Sequence, residues 1–77
     1  MKNYEVVREV LDPCGHEPQG KDREILELRL EDPALYVQDQ YRRERTVEFL
    51  TASRDGCPVI EAVLEGGRKH RYTFCEL

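Results

Sequence analysis

Residues 46–76 read TVEFLTASRDGCPVIEAVLEGGRKHRYTFCE, and two turns inside this stretch settle how the chain is built. Arg54-Asp55-Gly56-Cys57 and Glu65-Gly66-Gly67-Arg68 separate three runs rich in β-branched and aromatic residues: Thr46–Ser53, Val59–Glu65 and Lys69–Glu76. That is the pattern of three consecutive antiparallel strands. Turn length fixes which side chains share a face. A two-residue loop at Asp55-Gly56 pairs Thr51 with Ile60, Phe49 with Ala62 and Val47 with Leu64, and all but Thr51 are apolar.

The second hairpin has two registers to choose between. A two-residue Gly66-Gly67 loop sets Lys69, Arg71 and Thr73 beside Leu64, Ala62 and Ile60. A three-residue loop, Gly66 to Arg68, pairs Leu64 with His70, Ala62 with Tyr72 and Ile60 with Phe74. The second choice gathers Val47, Phe49, Ile60, Ala62, Leu64, Tyr72 and Phe74 on one core face. It also turns Arg71 outward and lets Glu65 face Lys69. The three-residue loop is the expectation.

Working back from this meander, Tyr4–Leu11 is β-branched and reads as a strand, and Glu24–Glu31 alternates Leu26, Leu28 and Leu30 with Glu27, Arg29 and Glu31. Between them Asp12–Asp22 (DPCGHEPQGKD) carries two Pro and two Gly and reads as a loop. Asp32-Pro33 is a helix start, because Asp caps the free N–H groups and Pro at the first position gives up an N–H that would have no partner. Ala34, Val37 and Tyr41 then fall on one helical face, and the helix is predicted over Pro33–Glu44. The order is β-β-α-β-β-β, an α+β fold with one mostly antiparallel five-stranded sheet and a helix packed on one face. A right-handed crossover through the helix is expected to make the second and third strands parallel.

With 77 residues the chain fits a single domain spanning 1–77. That length excludes a multidomain enzyme, a dinucleotide-binding domain and a barrel. Sixteen Asp and Glu against twelve Lys and Arg give a net charge of −4, which argues against nucleic-acid binding. Glu5, Arg8 and Glu9 interrupt any apolar run after Met1, and no stretch reaches the roughly 20 apolar residues of a membrane span. Three irregularly spaced cysteines do not make a secreted disulfide framework. The expectation is a soluble, acidic, cytoplasmic chain with reduced thiols.

The same registers define the face turned away from the helix. It carries Glu48, Val63 and Arg71 in one row, Leu50, Glu61 and Thr73 in the next, and Ala52, Val59 and Cys75 in the last. One helix about 10 Å wide covers only one face of five strands. Leu50, Val59, Val63 and Cys75 then form a small apolar patch edged by charges, the leading candidate for a partner surface. The alternative is an association with nucleic acid through Arg42, Arg43 and Arg45 after the helix and Arg68, Lys69 and Arg71 at the last hairpin.

Cys14, His16, Cys57 and Cys75 match a tetrahedral zinc set in number, but the spacing departs from the usual knuckles. Under the chosen register Cys57 and Cys75 are diagonal neighbours, too far apart for an easy disulfide. The parallel crossover places Cys14 and His16 at the other end of the sheet. No G-x-S-x-G, H-E-x-x-H or Gly-rich phosphate loop is present, and Cys14 with His16 as nucleophile and base, on adjacent loop positions with no rigid orienting group, makes a poor site. The sequence predicts a non-catalytic interaction module without cofactor or membrane, associating with another protein or a second copy of itself.

Overall fold

A computed structural model describes residues 1–11, 22–44 and 47–77. The chain forms β1 (Lys2–Leu11), β2 (Arg23–Leu30), α1 (Pro33–Gln40), β3 (Glu48–Arg54), β4 (Cys57–Val63) and β5 (Lys69–Glu76). The element order is the predicted one. The strands make one sheet in the order β2-β1-β5-β4-β3, every neighbouring pair antiparallel. By these pairings β2 and β3 run in the same direction, but they lie at opposite edges and do not pair. The crossover therefore spans the whole sheet, with α1 between its ends. Most of the expected Asp12–Asp22 loop, including Cys14 and His16, lies outside the described residues, as does Arg45.

The β3–β4 hairpin has the predicted register, with Phe49 opposite Ala62, Thr51 opposite Ile60 and Arg54 opposite Cys57. Asp55 and Gly56 both have positive φ, 53° and 81°. This matches the two-residue turn whose twist suits a hairpin, and Asp and Gly are residues that tolerate it.

The second hairpin corrects the expectation. Its loop does contain three residues, but they are Glu65, Gly66 and Gly67, and the Leu64 N–H donates to the Arg68 carbonyl at 2.8 Å. Ile60 therefore faces Tyr72 and Ala62 faces His70, a slip of two residues from the predicted pairs. Gly66 and Gly67 take φ of 89° and 85°, so starting the turn one residue earlier sets the two glycines, the residues best able to take positive φ, at its second and third positions. A slip of two preserves the pleat, so every side chain keeps its predicted face while its cross-strand neighbours change. Glu65 does not face Lys69, which lies opposite Val63 and Leu11.

The helix ends four residues earlier than predicted, at Gln40. Asp32 caps it as expected, its carboxylate accepting from the Ala34 N–H at 2.9 Å. At the far end Tyr41 leaves helical geometry (φ −118°, ψ 23°) and its N–H turns to the Gln38 carbonyl. Its ring sits edge-on to Phe49 and Tyr72. Tyr4, Val6, Ile60, Ala62, Tyr72 and Phe74 from the sheet close with Val37 and Tyr41 into one core. Leu26, Leu28, Leu30, Ala34, Tyr36, Val47, Phe49 and Leu64 pack around its margin. No helix among the described residues is long and apolar enough to cross a membrane.

Candidate functional site

Backbone polarity along the last three strands follows from one bond. The Leu64–Arg68 hydrogen bond makes that pair a hydrogen-bonded one, and antiparallel pairs alternate between bonded and non-bonded. Residues 60 and 62 thus address their peptide groups to β5, while residues 57, 59, 61 and 63 address theirs to β3. On β3 the bonded residues are Glu48, Leu50, Ala52 and Arg54. The peptide groups of Phe49, Thr51 and Ser53 point the other way, along an edge that pairs with no described strand.

The two edges of the sheet differ. On β2, four charged residues, Arg23, Glu24, Glu27 and Arg29, are distributed among Ile25, Leu26, Leu28 and Leu30, and charge along an edge strand is a usual guard against edge pairing. On β3 the charges stand only at the ends, Glu48 and Arg54, and the five residues between them carry none. Every β3 residue except Phe49 is exposed, Leu50 at 40%. An uncharged, exposed run of this kind is a ready template for another strand.

The predicted outer-face patch is redistributed by the register. Leu50 lies in the row of Glu61, Arg71 and Glu9, while Val63 lies between Glu48 and Lys69. Val59 is only 6% exposed, so its apolar surface is already covered. The continuous apolar row is instead Ile25, Val7, Thr73, Val59 and Ala52, which crosses all five strands. Of these Ile25 is 61% exposed, at the β2 edge. Val7 and Ile25 escaped the sequence reading because nothing local places β1 beside β5.

Among the described residues, the members of the basic set do not assemble on one surface. Arg42 and Arg43 are exposed in the turn after α1, and Arg42 pairs with Asp39 at 3.0 Å. Lys69 and Arg71 are on the opposite face of the sheet, with Arg68 exposed in the turn between. Arg71 is engaged: its Nε and Nη2 both donate to Glu9 Oε1, at 3.0 and 2.9 Å, with both side chains largely covered. Such a pair is a neutralised unit rather than a free cation.

Where α1 ends over the sheet, a cleft of about 300 Å³ is lined by Arg8, Glu24, Tyr36, Tyr41, His70 and Tyr72 among others. Its polar groups form one chain. Arg8 Nε donates to the Tyr72 hydroxyl at 3.3 Å, the Tyr72 and Tyr41 hydroxyls meet at 2.8 Å, and Tyr41 Oη lies 2.7 Å from His70 Nδ1. Each hydroxyl has a single proton to give. With His70 neutral and its proton on Nε2 the donors run in one direction, Arg8 to Tyr72, Tyr72 to Tyr41 and Tyr41 to Nδ1; with the proton on Nδ1 the ring donates to Tyr41 instead. Burial, then the charges of Arg8 and Arg68, holds the His70 pKa below its ordinary value. Burial, then the bond to Tyr72, raises that of Tyr41 and keeps it a phenol. The four groups satisfy one another, so the chain acts as a clamp between the end of α1 and the sheet. No sequence spacing signals it, since its members come from three separate elements.

Of the four residues weighed as a zinc set and set aside on spacing, Cys57 and Cys75 are on described strands and come together on the outer face. Continuing the β4–β5 register past Val59 and Thr73 sets Cys57 directly opposite Cys75 rather than diagonal to it. Among the described residues, no cluster of three or more His, Cys, Asp or Glu side chains is arranged to hold a metal ion. Comparison with family models, curated proteins and solved structures found no match to this chain.

Proposed function

We propose that the chain is a self-associating interaction module whose two copies pair edge to edge along β3. The observation that supports this reading is the composition of that edge about Thr51. Antiparallel pairing around a two-fold axis at Thr51 sets Thr51 against its own copy, Phe49 against Ser53, Leu50 against Ala52 and Glu48 against Arg54. Opposite charges meet at both ends, and no like charges face each other. The residues whose peptide groups point outward are Phe49, Thr51 and Ser53, so the Thr51–Thr51 and both Phe49–Ser53 pairs exchange both hydrogen bonds. The two sheets become continuous, and Leu50 is shielded by its neighbour's Ala52. The module works in the cytoplasm, where reducing conditions keep its thiols free.

The outer-face patch contributes Leu50 to this contact. The nucleic-acid alternative has less support, because its arginines divide between two sides of the sheet and Arg71 is bound to Glu9. Light scattering on the eluting protein tests the reading directly. The expected result is a dimer at micromolar concentration and a monomer for Thr51→Pro, which removes an outward N–H at an edge where proline is tolerated. A monomeric wild-type protein overturns it, as does a Thr51→Pro variant that stays dimeric.

A further inference from the structure

We propose that Cys57 and Cys75 are a reversible dithiol–disulfide pair, a redox-sensitive staple between β4 and β5. Both side chains are half-buried and unlinked, on the face that α1 leaves uncovered. Counting from the bonded Leu64–Arg68 pair, the Cys57–Cys75 pair has non-hydrogen-bonded parity, for which the Cα atoms are about 4.5 Å apart. That separation is within the range a disulfide spans without moving the backbone. The neighbouring Cys57 thiol, then burial and the nearby Glu5 and Asp55, raises the Cys75 pKa to about 11. Pro58 adds a local reason for the arrangement. It has no N–H to give β5, and the regular ladder stops at Val59–Thr73, leaving the cysteines at its loosened end.

The chemistry needs a small-molecule disulfide of the glutathione class as oxidant. One cysteine thiolate attacks it, forming a mixed disulfide and expelling one glutathione thiolate. The second cysteine, as thiolate, attacks the protein sulfur of that mixed disulfide, closes the Cys57–Cys75 bond and expels the second glutathione. Two electrons pass from the cysteines to the oxidant, and the two cysteine protons end on the two released thiols. Excess dithiol reverses both steps. Because the thiolate is the attacking species and Cys75 is held protonated, exchange accelerates as pH rises.

The test is intact mass spectrometry of the full chain after incubation with glutathione disulfide at about pH 8.5, above neutrality to raise the thiolate fraction. The Cys14→Ser variant is run beside it to remove the third thiol. The expected product is lighter by two hydrogen atoms, carries no glutathione, yields a linked Cys57–Cys75 peptide on digestion and returns to the starting mass with dithiothreitol. Cys14→Ser/Cys75→Ser, which lacks the resolving thiol, is expected to stop at one stable glutathione adduct. A Cys14→Ser chain that accumulates two glutathiones, links to a second chain or stays fully reduced overturns the proposal.

Discussion

Tyr41 and Tyr72, 31 residues apart, meet hydroxyl to hydroxyl at 2.8 Å and join the turn after the helix to a strand inside the sheet. Tyr72→Phe keeps the ring but leaves the Arg8 Nε–H and the Tyr41 hydroxyl without that partner. The expected loss is about 1–3 kcal/mol, the usual cost of an unsatisfied polar group in a covered site. Thermal unfolding followed by circular dichroism checks it. An unchanged midpoint would mean that the chain of bonds contributes nothing.

His70 makes stability depend on pH. Its folded pKa is below the ordinary 6.5, so between the two values the unfolded chain binds the extra proton and the folded one does not. Stability is therefore full above about 6.5 and falls as pH drops from there through the folded value. Burial, then the charges of Arg8 and Arg68, oppose the protonated ring and Glu44 favours it, and a protonated Nδ1 donates to the Tyr41 hydroxyl, which then gives its own proton to Tyr72. Urea midpoints at about pH 7.5 and about pH 5.5 should fall further for the wild type than for His70→Asn. Equal losses would remove His70 from the account.

Glu48 and Arg54 are each three residues from Thr51, so the proposed dimer contains their pair twice. Glu48→Arg or Arg54→Glu alone creates like-charge contacts at both ends and should weaken association by roughly 0.2–1 kcal/mol at each pair. The double exchange restores opposite charges and should recover the wild-type dissociation constant. Sedimentation equilibrium distinguishes the three variants. Recovery in the double variant is specific to this register, because no other alignment of β3 on itself makes the two residues partners.

Phe74 is fully buried, its ring edge-on to Tyr4 and Tyr36 and stacked with Tyr72. Phe74→Ala should cost about 3–5 kcal/mol, comparable to all that a core of this size supplies. The expected outcome is an unfolded chain at room temperature, seen as collapsed amide dispersion in a proton–nitrogen spectrum. A dispersed, native-like spectrum would place the core elsewhere.

How far these features were legible depends on how local their causes are. Asp55-Gly56 fixes its hairpin by backbone chemistry alone, and that register was read correctly. The Glu65–Gly67 turn is longer and slid by one loop residue, which moved every β4–β5 partner by two yet left the core face intact. For that reason Tyr72 and Phe74 were placed under the helix correctly while Cys57 and Cys75 were read as diagonal. The helix ended early because Tyr41 serves contacts with Phe49, His70 and Tyr72, none of which is near it in sequence. The uncharged run Phe49–Ser53 was visible, but its meaning waited on strand order: the same residues inside the sheet would be an ordinary core strand.

The sheet order sets how the molecule is assembled during synthesis. β1 with β2 and β3 with β4 are hairpins of sequence neighbours, whereas β5, which follows both in the chain, lies between them. Until residues 69–76 have emerged the two hairpins have no common strand, and Tyr72 and Phe74 are missing from the core face. Folding is then one late, long-range event in place of stepwise growth. The β3 edge is meanwhile present on an unfinished chain, where crowded nascent copies would find each other before β5 arrives.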